Sequence, residues 1–153
     1  MYKKKYRKKK KSSTKDTLNI EGAVQLKATG RYGNRKVLYK GLKFDSSMEF
    51  LFYYHLLSLQ KNGEVINIEL QPKFLLQEKF RYQGKGIREI NYISDFRVLY
   101  KNGNTIVWDV KGIKPPEVFL LKWKLVKYLN QDIDFKCVKS IGVKPCTWEV
   151  LKI

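Results

Sequence analysis

From Asp45 to Gln60 the apolar residues Met48, Leu51, Phe52, Leu56 and Leu59 recur at steps of three and four, the period of an amphipathic helix. Asp45 or Ser46 offers an N-cap and Asn62-Gly63 a stop. Beyond it, Val65, Ile66, Ile68, Leu70, Phe74 and Leu75 read as a long strand interrupted near Pro72, and Gln83-Gly84-Lys85-Gly86 as a turn. Tyr92 to Tyr100 and Thr105 to Lys111 read as two strands of a hairpin joined at Lys101-Asn102-Gly103. Pro115-Pro116 opens a second helix that runs to about Asn130, with Val118, Leu121, Leu125 and Leu129 as its buried stripe. Ile133 to Val138 is a short last strand. The order helix, three strands, helix, strand predicts an α/β fold with a mixed central sheet.

Composition narrows what such a fold can do. The 153 residues suit one domain, and 43% hydrophobic residues are enough to bury a core. The 32 Lys+Arg against 14 Asp+Glu give a net charge of +18, which calls for an anionic partner. Eight of these bases, Lys3, Lys4, Lys5, Arg7, Lys8, Lys9, Lys10 and Lys11, crowd the N-terminus; the other 24 still exceed the 14 acids by +10. Residues 1–30 are therefore expected to be a basic disordered tail and linker, and 31–153 the folded domain. With Cys137 and Cys146 as the only thiols and His55 as the only imidazole, a structural zinc site has too few ligands. His55, beside Tyr54 and Leu56, reads as a packed helix-surface residue. No apolar run is long enough for a membrane span or signal peptide, so the expectation is a cytoplasmic protein with no membrane partner.

The scarce acids of the hairpin carry the candidate chemistry. Asp109 and Lys111 are two apart and share a face, while Val110 points the other way. A two-residue turn at Asn102-Gly103 would set Asp95 against Val110. A three-residue loop with glycine in the left-handed position would set Asp95 opposite Asp109, and is the register favoured here. Facing carboxylates repel unless a cation lies between them. Magnesium is commonly held by one or two carboxylates with water and phosphate oxygens. Lys111 could then position and deprotonate a water, or offset charge on a phosphate; otherwise it is an edge-strand lysine in solvent.

Asp95, then thirteen residues, then Asp109-Val110-Lys111 resembles the PD-(D/E)xK nuclease signature. More narrowly, Lys43-Phe44-Asp45-Ser46-Ser47-Met48-Glu49, Leu70-Gln71-Pro72-Lys73-Phe74, Tyr92-Ile93-Ser94-Asp95-Phe96 and Asp109-Val110-Lys111-Gly112 resemble the blocks of small phage endonucleases of the Holliday-junction resolvase type. Ser94 stands where the superfamily signature has proline. The resemblance implies a restriction-endonuclease-like core and a magnesium-dependent DNA endonuclease, with manganese as a substitute, acting on branched DNA. It also implies a homodimer without a small-molecule cofactor, in the bacterial cytoplasm if phage-encoded. Asp95, Asp109 and Glu49 would hold the metal and Lys111 would act on the water. Glu49 equally fits a capping box with Ser46. Gln71 would line the site or serve structure alone. Lys122, inside the expected stripe, would reach a phosphate or lay its stem along the core. Lys73, Lys114 and Lys124 join the tail as candidate DNA contacts. A duplex-nicking or host-DNA-degrading nuclease is the variant reading, and a non-catalytic nucleic-acid-binding protein the alternative from another class. Attachment to an anionic membrane would explain the tail alone.

Deleting residues 1–11 should weaken DNA binding at low salt and flatten the slope of log affinity against log salt, by roughly 0.9 for each phosphate that the tail neutralises. The cleavage rate at saturating DNA should not change. Titrations of full-length and truncated protein at several salt concentrations check this.

Overall fold

The computed structural model describes residues 20–26, 35–112, 115–141 and 147–153; the basic tail, Arg31, Lys114 and Cys146 lie outside the described residues. Strands β1 (Ala23–Gln25), β2 (Val37–Tyr39) and β3 (Leu42–Phe44) form an antiparallel sheet that the hydrophobic pattern does not predict. Its first strand precedes Arg31, so ordered structure begins earlier than the expected boundary. Val37, Tyr39 and Phe44 are buried against Phe50 of helix α1 (Ser47–Lys61), which explains why these short strands form at all. The helix is capped by Ser46, whose Oγ accepts from the Glu49 amide at 3.1 Å, and ends at Asn62, followed by Gly63 at φ +76°.

The strands that follow are β4 (Val65–Leu70), β5 (Lys73–Gln77), β6 (Phe80–Tyr82), β7 (Lys85–Ile87), β8 (Ile90–Ile93), β9 (Phe96–Tyr100) and β10 (Thr105–Val110), then helix α2 (Glu117–Leu129) and β11 (Asp134–Ile141). A last strand, β12 (Thr147–Leu151), is also beyond what the pattern predicts. The central sheet has the order β12-β11-β10-β9-β4. It is mixed: β10 and β11 are parallel, joined across α2, and the other pairs are antiparallel. Alternation sorts its side chains onto two layers. Phe96, Val98 and Val110 pack with Phe50, Phe52 and Leu56 of α1, while Val107, Phe135 and Cys137 pack with Trp123 and Val126 of α2. Among the described residues no helix is long and apolar enough to cross a membrane.

The buried face of α2 differs from the expected one. Val118, Leu121 and Leu129 are 67%, 61% and 49% exposed, and Leu125 is exposed as well. Trp123, Val126 and partly Phe119 turn inward instead, where they meet Tyr92, Phe74 and Phe135. The helix carries apolar residues nearly all round, so periodicity alone offers two stripes. The aromatic one buries more area per residue and forms edge-on ring contacts, so it takes the core.

The hairpin has the three-residue loop. Leu99 pairs with Thr105, Val98 with Ile106, Arg97 with Val107 and Phe96 with Trp108. Gly103, at φ +83°, closes it by donating to the Tyr100 carbonyl at 3.0 Å. A side chain there would have to adopt the left-handed region, which costs about 1–2 kcal/mol. Gly103→Ala should therefore lower stability by about that amount in urea unfolding; a loss under about 0.5 kcal/mol would mean that the loop does not depend on this conformation.

Candidate active site at a broken β-ladder

The expected long strands each break in two at the same level. Ile68 and Leu70 pack on the α1 side of the sheet, yet Phe74 lies in the α2-side core; Phe96 lies on the α1 side, yet Tyr92 on the α2 side. Residues four apart in an unbroken strand would share a face. Both strands therefore reverse their facing, at Gln71-Pro72 and at Ser94-Asp95. Gln71 absorbs the turn at φ +51°, an uncommon value for a residue with a side chain. Two backbone bonds hold the crossing: the Gln71 amide donates to the Asp95 carbonyl at 2.9 Å, and the Ser94 amide to the Pro72 carbonyl at 3.1 Å. Ser94 is fully buried and its hydroxyl donates to the Trp108 carbonyl at 2.7 Å.

This break positions Asp95. The β9–β10 ladder stops after Phe96 and Trp108, because the Ser94 backbone has turned away to Pro72. The Val110 amide then takes the Asp95 side chain instead, donating to Oδ2 at 2.6 Å. Asp109, next along β10, is only 2% exposed. Its Oδ2 accepts from the Tyr92 hydroxyl at 2.6 Å, and its Oδ1 faces the Lys111 ammonium. Lys111 is held where β10 runs out, its amide donating to the Val138 carbonyl at 2.8 Å.

Glu49 approaches from α1. It closes the capping box: Oε2 accepts from the Asp45 amide at 3.1 Å and Oε1 from the Ser46 hydroxyl at 3.3 Å. It also lines, with Asp95, Gln71, Lys43 and Phe96, an open cavity of about 240 Å³. Both readings of Glu49 thus describe one position, with the cap occupying its oxygens. Among the described residues no group of three or more His, Cys, Asp or Glu side chains forms a ready metal cage.

Electrostatics sets this cluster apart. Burial, then the Asp109 and Glu49 carboxylates, push Asp95 up to about 8, against the amide of Val110 and the charge of Lys111. Glu49 is raised by burial as well, with the Asp45 amide opposing. Burial favours the neutral amine of Lys111, but the Asp109 carboxylate outweighs it and holds the ammonium more firmly than usual. Burial and Asp109 also raise Tyr92, so its hydroxyl stays a donor, and they push the Cys137 thiol up to about 12, leaving it unreactive.

The other expected site residues are less central. Lys122, expected either to reach a phosphate or to lay its stem along the core, is partly buried, and its ammonium donates to the Asn91 carbonyl at 2.9 Å, a bond that ties α2 to β8. Lys73 is exposed and pairs with Glu89 at 3.0 Å, and Lys124 is exposed on α2. His55 is exposed on α1, with its ring near Phe52. Tyr92 and Ser94 are site residues that the pattern does not reveal. Strand parity puts Tyr92 on the side of Phe96, and only the reversal at Ser94-Asp95 brings it under Asp109.

Because Asp95 stays protonated in the folded chain over a range where it ionises in the unfolded chain, the native state binds more protons there. Without added divalent cation, stability should fall as pH rises from about 4 to about 8. Asp95→Asn, which keeps an acceptor for Val110, should flatten that decline. Thermal unfolding from pH 4 to 9 measures both, and an equally steep decline in the variant would remove Asp95 as its source.

No curated protein and no solved structure matches the chain. The model of one family, described as proteins of unknown function, matches residues 29–144, a span that runs from the first sheet through Glu49, Asp95, Asp109 and Lys111 to the end of β11. The chain belongs to this family, DUF1064.

Proposed function

We propose that this protein is a magnesium-dependent DNA endonuclease with a restriction-endonuclease-like core, hydrolysing phosphodiester bonds in branched DNA. One observation carries the reading: at a break in the ladder Asp95, which lines an open cavity with Glu49, comes beside buried Asp109 and its ion-pair partner Lys111, in a chain of net charge +18. A surface that only held nucleic acid would gain nothing from acids at that point.

The donor set suits a hard cation. Asp95 and Asp109 would supply oxygens in a site where burial and then like charge raise Asp95, and a divalent ion would relieve the second of these. When bound there, magnesium would supply Lewis-acid polarisation of a phosphate oxygen and acidify a water. The chain's own groups do the rest. Tyr92 orients Asp109 through its hydroxyl, and the Val110 amide orients Asp95. Lys111, kept charged by Asp109, serves better as a hydrogen-bond donor to the attacking water and to the phosphate than as the base suggested by the signature. Glu49 adds negative potential from the cap. The preference for branched DNA and the two-fold assembly rest on the resemblance to junction resolvases.

Asp109→Ala should abolish cleavage and leave DNA binding intact or tighter, since removing the buried carboxylate also removes its repulsion of phosphate. Lys111→Ala should also lose turnover with little loss of affinity. Incubation of supercoiled, linear and four-way-junction DNA with and without magnesium is the test. Near wild-type nicking by either variant would overturn the site. Binding without any magnesium-dependent cutting by the wild type would favour the non-catalytic nucleic-acid-binding reading.

A further inference from the structure

Beyond the ladder break the chain does not return directly to the core. Strands β5 and β8 continue as a two-stranded ribbon that bulges between Leu75 and Gln77 and gives way to the hairpin of β6 and β7. Every residue from Glu78 to Ile90 is exposed, and a Cβ added at Gly84 or Gly86 would meet nothing within 4 Å. This is an arm held away from the body. Its tip is a two-residue turn in which Gln83 (φ +47°) and Gly84 (φ +78°) are both left-handed, the tight form that suits strand twist. The arm is thus a built element rather than a slack loop.

Its two faces differ in chemistry. Phe80 pairs with Ile87 and Tyr82 with Lys85, so these four share one side. Phe80, Tyr82 and Ile87 are 46%, 61% and 39% exposed, an apolar patch with nothing of the described chain upon it. Arg81 pairs with Gly86 on the other side, and Lys79 and Arg88, both exposed, flank the two strands at the base of the hairpin. The hairpin therefore carries Arg81 on that side and two further cations, Lys79 and Arg88, at its base. Of the two acids in the segment, Glu89 is engaged by Lys73 at 3.0 Å and by Asn91 at 2.8 Å.

We infer that this arm is a second nucleic-acid contact, in which Lys79, Arg81 and Arg88 grip duplex phosphates while Phe80 and Tyr82 stack on bases left unpaired or unstacked at a branch. The inference rests on the nuclease reading and gives its substrate preference a residue basis. A duplex alone would satisfy the cationic face and leave the aromatic face in water. Exposed base faces beside a duplex satisfy both, because aromatic rings stack on any base and phosphates attract the cations. A second copy is a poor occupant, since its own arm would bring like charge. An anionic membrane would match the arm's chemistry but not its root. The ribbon grows from the Ser94-Asp95 crossing, so a long polymer held along the arm leads back toward the carboxylates. Gly84 is eleven residues from Asp95, at most about 40 Å of extended chain. Thus the tip lies no farther than about one turn of duplex, roughly 34–36 Å, from the cutting site.

The test uses full-length protein in the cleavage-silent D109N background, binding a four-way junction and a linear duplex of matched length at several salt concentrations. K79A/R81A/R88A should weaken both and lower the salt slope by up to roughly 2.7, the value for three neutralised phosphates. F80A/Y82A should weaken junction binding by roughly 5- to 150-fold per stacked base, leave the duplex nearly unchanged and keep the slope. K61A/K101A, at the far end of the sheet, serves as the control. An unchanged slope in the triple variant, or an aromatic variant that affects both DNAs equally, overturns the inference. Arm-dependent binding to vesicles of phosphatidylserine and phosphatidylcholine, without arm dependence on DNA, overturns it too. Wild-type protein that cuts neither DNA in magnesium while binding still depends on both faces upholds the arm and removes the nuclease.

Discussion

A carboxylate that is 2% exposed must find partners within the protein, and the arrangement around Asp109 follows from that constraint. Tyr92 and Lys111 come to it from two directions, one across the reversed ribbon and one along its own strand. The Tyr92 hydroxyl can reach Asp109 only because the ribbon reverses at Ser94-Asp95. The reversal in turn frees the Val110 amide for the Asp95 side chain. A second carboxylate is thereby drawn next to the first, and its burial together with the repulsion raises the proton affinity of Asp95. Such a cluster lowers stability in isolation.

The same break has a consequence at longer range. A continuous sheet would have carried β4 and β9 straight on, with one face toward α1 throughout. After the break the ribbon packs its other face on α2, through Phe74 and Tyr92, and Lys122 fastens α2 to β8 through the Asn91 carbonyl. The arm beyond is left without a layer to cover it. One local reversal thus brings Asp95 and Tyr92 to Asp109 of the central sheet and carries the exposed hairpin away from the layers.

Helix α2 shows how packing decides between sequence alternatives. Its exposed stripe of Val118, Leu121, Leu125 and Leu129 has regular helical spacing, whereas the inward set of Phe119, Trp123 and Val126 includes a lysine as its neighbour. The sheet beneath presents Phe135, Tyr92 and Phe74, and rings that pack edge to face fill that surface better than leucines. Which stripe is buried depends on the partner surface, which the helix sequence does not contain.

Whatever local chemistry controls is legible along the chain. Period and caps marked α1, and Pro115-Pro116 marked the start of α2. Of the two turns open at Asn102-Gly103, the favoured three-residue loop with a left-handed Gly103 is the one that forms, and it sets the register up to Phe96 and Trp108. Ser46 with Glu49 gave the cap, and the parity of Asp109 and Lys111 gave their shared face. Tertiary structure decided the rest. The short strands β1 to β3 form only because Phe50 covers them. The single strands expected through Pro72 and Ser94 become crossings only because two backbone bonds, each between distant segments, hold them. Tyr92 joins Asp109 through that crossing, and the arm stands exposed because its ribbon has already turned away from the layers. Local rules count residues along one chain segment, whereas each of these outcomes depends on a surface or a hydrogen-bond partner supplied by another.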